Sequence, residues 1–480
     1  MRLSFLTLLV LMIAGSAGAQ AQEHPGSFAD LVPDLIPAVV HISTTEEVDR
    51  RRRRPPMPDF PEGSPFHDFF EEFFERRQFP QRRQPSPRST GSGFIIDETG
   101  FVVTNDHVIE DADLIEVTLA DGVKLPAEII GRDPKTDLAL LKIESDEPLP
   151  FVELGDEENV RVGDWVIAIG NPFGLGGTVT AGIVSGFNRD INSGPYDNFI
   201  QTDASINWGN SGGPLFDLEG RVIGINTKIL SPSGGSVGIG FAIPSSVAIG
   251  IVDQLRNFGE ARRGWLGVRI QEVSDEIAAS LGMEAPQGAL VSSVEDGSPA
   301  SDADIHPGDV ILRFGDEQVE KMRDLPRLVA KTNAYENVTL DVWRDERTIE
   351  VDVRIGRLEE DSATGTGEFD GTGGEIGEDG LILGMKLATL DSALRERFSI
   401  DSSTEGVIVE QIASDSEAFQ KGVREGSIVA QVGGTRVASL EDVLESIEKA
   451  RRDSRAAVLF LFIARNTVRF IALNFDRGEQ

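Results

Sequence analysis

Short apolar runs, many of them bounded by glycine-bearing turns, recur along the first half of the chain. The first group of predicted strands is 93–96, 101–105, 114–119, 126–131 and 138–143. The second group is 165–169, 178–187, 199–202, 214–216, 222–228 and 238–243. Regularly spaced short strands with glycine turns are typical of all-β barrels. The pattern therefore predicts a mostly β protein that begins with two consecutive barrels.

Two further elements flank these groups. Residues 38–43 form a predicted strand on which His41 stands among apolar neighbours, so we expect His41 to be structural. After the second group, apolar residues recur at helical spacing and predict a helix over 246–258 with Ser245 as its cap. The apolar face of this helix is formed by Val247, Ile251, Val252 and Leu255.

The second half of the chain contains an internal repeat. Residues 288–311 align without a gap with 406–429, at a constant offset of 118 residues. Each copy follows a glycine-bearing apolar turn, at 263–268 and 380–385, and precedes a predicted helix, at 325–331 and 440–450. Asp304 of the first copy stands where the second copy has Gly422. The repeat predicts two domains of one fold.

Composition narrows the classes of function. A length of 480 residues suggests about three domains, and the 51 glycines suit a turn-rich β protein. The chain has no cysteine, which excludes disulfides, thiolate metal sites and thiol catalysis. A net charge of −35 argues against nucleic acid as a general partner.

The first 21 residues have the pattern of a secretory signal peptide. Arg2 is followed by an apolar core and by small residues that fit cleavage after Ala19 or after Ala21. The apolar core is shorter than the roughly 20 residues that span a bilayer. We expect an exported protein that is soluble in the periplasm of a Gram-negative cell.

Ser211 lies in the segment Gly209-Asn210-Ser211-Gly212-Gly213-Pro214. Glycines on both sides of a serine allow a tight turn that presents the hydroxyl while backbone N–H groups point into a cleft. The N–H groups of Gly209 and Ser211 are then placed to bind the oxyanion of an acyl-transfer transition state. The alternative is a glycine turn between strands.

Two other residues supply the partners that a nucleophilic serine needs. His107 follows the predicted strand 101–105, and Asp137 immediately precedes the strand 138–143. Taken alone, a histidine after a strand is more typical of a surface residue, and an aspartate before a strand is more typical of a loop cap. Together with Ser211 they occur in the order His, Asp, Ser, which is the order of chymotrypsin-like proteases. The combination predicts a Ser-His-Asp triad.

These segments, with Thr104-Asn105-Asp106-His107 and Thr136-Asp137-Leu138-Ala139, resemble the HtrA/DegP-type (Do-like) periplasmic serine endoproteases. The resemblance implies a chymotrypsin-like double six-stranded β-barrel followed by two PDZ domains. The implied boundaries are a signal peptide 1–21, a protease domain 22–258, PDZ domains 262–356 and 380–477, and a flexible linker 357–379.

The resemblance also assigns roles to further residues. The Gly209-Asn210-Ser211 backbone forms the oxyanion hole. Asn210 stands where chymotrypsin has an aspartate that pairs with the freed N-terminus. Because an amide cannot form that ion pair, activation should come from loop ordering. Ile229, Leu230 and Ile239 bind substrate in a shallow apolar pocket that favours small or medium aliphatic residues. Arg189 matches the regulatory sensor-loop arginine, and a surface salt bridge explains it equally well.

In the first PDZ domain, the resemblance makes one turn the binding site for the C-terminus of a peptide. This turn consists of Arg263, Gly264, Trp265, Leu266, Gly267 and Val268. The second copy of the repeat matches less closely and could serve assembly instead. For either copy the alternative is a domain that acts only as a spacer.

Residues 45–90 contain ten arginines against nine acidic residues and a phenylalanine stripe at helical spacing. Arg50 to Arg54 suggest binding to nucleic acid or acidic lipid, but a solvated flexible loop fits the net charge better. The stripe, at Phe66, Phe69, Phe70, Phe73 and Phe74, lies where the family carries a loop that reaches a neighbouring active site. We predict an oligomerisation and regulatory loop.

The predicted function is ATP-independent endoproteolysis of unfolded exported proteins, with PDZ-mediated capture of peptides and chaperone activity. No metal or cofactor is implied, and the expected assembly is a homo-oligomer built from trimers. Two alternatives remain: a holdase chaperone or PDZ scaffold with a resting protease site, and a narrow regulatory protease in an envelope stress pathway.

Overall fold

The computed structural model describes residues 27–45, 89–358 and 381–475, apart from positions 175, 192, 208, 232–234, 403, 454, 465 and 466. The predicted signal peptide, the phenylalanine stripe and nearly all of the predicted linker lie outside the described residues. The chain divides into two compact units, and the division falls between Ala261 and Arg262, with 194–196 grouped with the second unit.

The first unit opens with a closed barrel, as the apolar pattern predicts. Its strand order is β1-β2-β3-β6-β5-β4, with antiparallel neighbours throughout. The strands are β1 Val39–Thr45, β2 Ser89–Ile95, β3 Phe101–Thr104, β4 Leu114–Thr118, β5 Lys124–Asp133 and β6 Leu138–Ile143. Two short helices belong to the same region, α1 Val32–Leu35 and α2 Asp106–Ile109.

A second closed barrel follows, in the order β10-β11-β12-β9-β8-β7. Its strands are β7 Trp165–Gly170, β8 Thr178–Arg189, β9 Phe199–Thr202, β10 Pro214–Phe216, β11 Val222–Ile229 and β12 Gly240–Pro244. All six predicted strands are present, and β8 runs two residues past its predicted end. Short 3₁₀ turns lie at Ile36–Ala38, Glu157–Asn159 and Pro172–Gly174.

One apolar core joins both barrels to the helix α3, Ser245–Phe258. Phe94 of the first barrel and Phe216 of the second are fully buried in it, together with Leu255 of the helix. Continuous apolar strands and the helix face therefore close the unit around a shared centre. The predicted cap is wrong: Ser245 is the first helical residue, and its buried hydroxyl donates to the carbonyl of Val222 instead of accepting from a backbone N–H of the first helical turn.

The second unit contains two sheets of identical topology. In the first, the order is β14-β15-β16-β18-β19, with β17 paired to β16, and β13 pairs with β20 beside it. The strands are β13 Gly264–Trp265, β14 Val268–Glu272, β15 Ala289–Val294, β16 Val310–Phe314, β17 Glu317–Gln318, β18 Asn337–Arg344, β19 Arg347–Arg354 and β20 Gly356–Arg357. The helices are α4 Asp275–Ser280, α5 Pro299–Asp302 and α6 Asp324–Lys331.

The second sheet repeats this plan in the order β21-β22-β23-β25-β26, with β24 paired to β23. Its strands are β21 Met385–Thr389, β22 Val407–Ile412, β23 Ile428–Val432, β24 Thr435–Arg436, β25 Ala457–Ala464 and β26 Thr467–Asn474. The helices are α7 Ser392–Phe398, α8 Glu417–Gln420 and α9 Leu440–Arg452. Asp304 and Gly422 occupy equivalent left-handed positions, with φ of 60° and 87°.

The two sheets of the second unit share an apolar cluster. Leu290 and Val310 of the first sheet are buried with Leu459, Leu461 and Phe470 of the second. Within the described residues, no helix has both the length and the apolar character needed to cross a bilayer.

Candidate active site

His107 is placed by the short helix α2 at the end of strand β3. The preceding Asp106 is buried, and its carboxylate accepts from Arg132 Nε at 2.7 Å and from a second guanidinium nitrogen at 3.2 Å. This two-point ion pair raises the pKa of Arg132, chiefly through the hydrogen bond to Asp106. It ties α2 to strand β5, while the His107 side chain stays 44% exposed.

Asp137 occupies the turn between β5 and β6 with a left-handed φ of 58°. Its carboxylate accepts from His107 Nδ1 at 2.8 Å, from the His107 backbone N–H at 3.0 Å and from Thr227 Oγ1 at 2.5 Å. Because an ionised carboxylate only accepts, His107 Nδ1 carries a proton and Nε2 faces away from Asp137. Burial opposes ionisation, but the hydrogen bonds and charge of His107 and the Thr227 hydroxyl outweigh it, and the pKa of Asp137 lies below its usual value.

Ser211 lies in the loop between β9 and β10, where Gly209 and Gly212 adopt φ of 107° and 82°. The loop is hydrogen-bonded to β11 through Gly212 N–H and the Asn226 carbonyl at 2.7 Å. Ser211 Oγ lies 3.5 Å from the carbonyl oxygen of Thr227. Thr227 thus contacts both Ser211, through its backbone, and Asp137, through its side chain.

Two backbone N–H groups beside Ser211 are available to an oxyanion. In the part of the chain that the structure describes, the N–H groups of Gly209 and Ser211 have no hydrogen-bond acceptor. Asn210 is buried and holds its own loop: its side chain accepts from Asn207 N–H at 2.9 Å and donates to the Ser205 carbonyl at 3.2 Å. The Asn210 side chain therefore restrains the loop that carries both N–H groups, and their role as oxyanion donors stays a prediction.

Sequence reasoning missed Thr227. A signal does exist in strand β11, where Asn226 and Thr227 interrupt an apolar run and both are buried. Because buried polar side chains need hydrogen-bond partners, such a pair on an apolar strand indicates a buried hydrogen-bond network. The partner of Thr227 is 90 residues away in sequence, however, and only the folded chain identifies it.

The residues predicted to form the substrate pocket lie on and beside strands β11 and β12. Leu230 N–H donates to the Ile239 carbonyl at 3.1 Å, which joins the two sides of the loop. Ile229 packs on the core of the second barrel and Ile239 on the shared core, whereas Leu230 is 61% exposed. Their role in specificity stays a prediction.

Arg189 ends strand β8, and its Nε donates to Gln201 Oε1 at 2.9 Å. Its guanidinium lies over Gly186, where an added Cβ would approach Arg189 Nε to 2.9 Å. Both contacts lie within its own barrel. The regulatory role of Arg189 therefore stays a prediction.

The predicted peptide-binding turn precedes the edge strand β14. Gly264 and Trp265 pair with β20, Leu266 is buried in the domain core, and Gly267 has a φ of 80°. Arg263 is also buried. Val268 then begins β14, whose outer edge has no strand partner in the described sheet.

Comparison with known proteins agrees with this geometry. Residues 91–225 match the family profile of the trypsin-like peptidase domain, and residues 264–355 match that of the PDZ domain. A probable periplasmic serine endoprotease DegP-like from Brucella suis biovar 1 is 45% identical over 473 residues, covering 94% of this chain and 90% of the relative. The corresponding protein of Rhizobium meliloti is 42% identical over 493 residues, covering 97% and 95%.

Among solved structures, the HtrA-type protease AlgW with a decapeptide is 38% identical, with a TM-score of 0.57. The match covers 69% of this chain and 99% of that one. The barrels and their site define a trypsin-like serine endopeptidase followed by PDZ domains. The chain belongs to the DegP-like family of periplasmic serine endoproteases.

Proposed function

We propose that Ser211, His107 and Asp137 are the catalytic triad of this endoprotease. Ser211 Oγ attacks the scissile carbonyl, and His107 Nε2 takes the hydroxyl proton and later gives it to the leaving amine. Asp137 keeps the Nδ1–H tautomer and stabilises the imidazolium that forms. The observation that supports this most directly is the pair of contacts from His107 to Asp137 and from Asp137 to Thr227, whose carbonyl adjoins Ser211.

The N–H groups of Gly209 and Ser211 complete the site as oxyanion donors. Each such donor contributes about 3 to 4 kcal/mol to transition-state stabilisation in a comparable serine protease. The Asn210 amide forms hydrogen bonds within its own loop. The oxyanion hole is therefore controlled by ordering of the segment 209–211 and not by a new ion pair with the N-terminus. The proposed substrates are unfolded exported proteins cut after small or medium aliphatic residues held by Ile229, Leu230 and Ile239.

Capture of substrate is assigned to the first PDZ domain. Its edge strand β14 can pair an extended peptide, while backbone N–H groups within the turn 263–268 hold the terminal carboxylate. The AlgW structure was solved with a decapeptide, which supports peptide binding in a related protein. We further propose secretion through cleavage of residues 1–21, assembly into trimers or multiples of trimers, and a chaperone activity towards bound chains.

The decisive experiment compares casein digestion by wild type and Ser211→Ala, with labelling by a fluorophosphonate probe. We expect wild type to digest casein and to be labelled, Ser211→Ala to lose both, and the surface variant Ser145→Ala to retain both. A wild type that never reacts contradicts the triad and leaves a binding protein as the alternative. A Ser211→Ala variant that still digests casein shows that Ser211 is not the nucleophile. Particle mass and N-terminal sequencing test assembly and cleavage.

A further inference from the structure

Ser92 is a buried serine in strand β2 of the first barrel, outside the triad and its oxyanion donors. Its Oγ donates to the carbonyl of Gly209 at 2.5 Å and accepts from the backbone N–H of Asn171 at 2.8 Å. Its own backbone N–H donates to the carbonyl of Ser211 at 2.9 Å. One residue therefore holds both ends of the Gly209-Asn210-Ser211 segment.

The three carbonyls of this segment all accept hydrogen bonds from within the first unit. Gly209 and Ser211 bond to Ser92, and the Asn210 carbonyl accepts from Gly213 N–H at 3.1 Å. Because a trans peptide is planar, the Ser92 hydroxyl fixes the whole peptide between Gly209 and Asn210, whose N–H donates to the Asn207 carbonyl at 3.2 Å. This peptide joins the one that carries the Gly209 N–H to the one that carries the Ser211 N–H. Gly209 has a φ of 107°, a region with little steric restriction for glycine, so its orientation needs an external restraint.

The packing around Ser92 leaves little room for the segment to move. An added Cβ on Gly212 would approach the Ser92 carbonyl to 2.3 Å, and one on Gly170 would approach Asn210 Cβ to 2.4 Å. The Ser92 carbonyl also accepts from Thr104 Oγ1 at 2.8 Å. Because Asn171 N–H donates to the Ser92 hydroxyl, it also polarises that hydroxyl as a donor to Gly209.

We propose that Ser92 is a positioning residue for catalysis: its hydroxyl fixes the peptide between Gly209 and Asn210, and so holds the oxyanion donors on either side of that peptide in their ordered arrangement. This inference rests on the proposed oxyanion role of Gly209 and Ser211. Ser92 acts through Gly209 and does not contact the substrate, so it serves transition-state binding and not ground-state binding.

The test is steady-state hydrolysis of a quenched peptide by full-length Ser92→Ala. We expect kcat/KM to fall about 10- to 100-fold, which is a smaller decrease than the loss of a whole oxyanion donor causes. KM should change less than about twofold. The affinity of a peptide boronic acid, whose tetrahedral adduct fills the oxyanion hole, should fall in parallel. Affinity for the product peptide that carries the new N-terminus, and so lacks the scissile carbonyl, should not change.

Ser245→Ala is the matched control. Ser245 is also fully buried, and its hydroxyl also donates to a backbone carbonyl of the same unit, that of Val222. It should lose comparable stability and keep normal kcat/KM and boronate affinity. Equal effects of the two substitutions on kcat/KM or on boronate affinity would show that Ser92 is merely structural and overturn the proposal.

A third variant covers the case in which Ser92→Ala does not fold. Ser92→Cys keeps a side chain of similar shape with a weaker S–H donor, so its kcat/KM should lie below that of wild type at unchanged KM. A folded Ser92→Cys with wild-type kcat/KM overturns the proposal. The proposed triad is tested separately, and it is contradicted if Ser211→Ala still cleaves the peptide. If Ser211→Ala is inactive while Ser92→Ala is fully active, the triad stands and only the role of Ser92 is rejected.

Discussion

At the scale of single residues, the site depends on donors that converge on one carboxylate. Asp137 is largely buried, and its ionised form is maintained by His107 and Thr227. A group with a lowered folded-state pKa stabilises the fold above its unfolded-state pKa, about 3.9 for aspartate. That contribution is lost as pH falls through the lower folded-state pKa. Acid should therefore weaken this part of the barrel interface.

Thr227→Val removes one of these donors while it keeps the shape of the side chain. The pKa of Asp137 should rise towards its usual value, and the free energy of unfolding should fall by about 1.5 to 3 kcal/mol at neutral pH. The difference from wild type should narrow as pH falls from about 4, where the carboxyl of the variant becomes protonated, through the lower folded-state pKa of the wild-type carboxyl. Urea unfolding at a series of pH values measures this.

Thr202→Val serves as the control for that experiment. The Thr202 hydroxyl is equally buried, and it donates to the Ile183 carbonyl and accepts from Ala204 N–H. Among the described residues no carboxylate bonds to it. The decrease in the free energy of unfolding caused by Thr202→Val should be independent of pH. A pH-independent difference for Thr227→Val as well would contradict the role assigned to the Asp137 contact.

At the scale of elements, the two copies of the repeat use the same turn before their edge strand. Gly267 has a φ of 80°, and a Cβ there would lie 2.1 Å from Ser298 Cβ; Gly384 has a φ of 78° and the same relation to Ser416 at 2.3 Å. Ser298 and Ser416 cap the following helices α5 and α8. In both copies the glycine lets the turn pack directly on a helix cap.

Gly267→Ala should therefore displace the turn and abolish binding of peptides by the first PDZ domain. Fluorescence anisotropy of a labelled peptide with an apolar C-terminal residue measures the affinity. Gly297→Ala is the control, because φ there is 71° but no atom lies within 4 Å of the added Cβ. It should lose about 1 to 2 kcal/mol of stability through backbone strain and retain peptide affinity. Retained affinity in Gly267→Ala excludes the turn as the binding site.

At the scale of the whole molecule, the second unit brings its two sheets together through side-chain contacts between distant residues. The Gln271 amide donates to the Phe470 carbonyl at 2.8 Å and accepts from the Phe470 N–H at 2.9 Å. Lys421 pairs with Glu276, and Arg455 pairs with Glu346. Gln271 thus occupies the backbone groups of Phe470 on the edge strand β26, which are otherwise open to another strand.

Gln271→Ala should loosen this contact without unfolding either sheet. One neutral hydrogen bond contributes about 0.5 to 1.5 kcal/mol, so hydrogen exchange at the Phe470 amide should accelerate about 3- to 10-fold. Gln318→Ala, in the exposed strand β17, should leave that rate unchanged. An unchanged rate in Gln271→Ala means that the sheets do not depend on this contact.

The amino-acid sequence by itself determined the elements whose causes are local. Short apolar runs and glycine turns predicted the twelve strands that form the two barrels, and the repeat predicted two domains of one plan, because strand formation and turn geometry depend on neighbouring residues. The motifs around Ser211, His107 and Asp137 could be recognised in the sequence for the same reason. Only the tertiary structure decided the contacts of Thr227, Ser92, Ser245 and Gln271. Each is an ordinary polar residue whose partner lies on a separate strand or turn, and no local pattern identifies which distant carbonyl or carboxylate folding will bring to it.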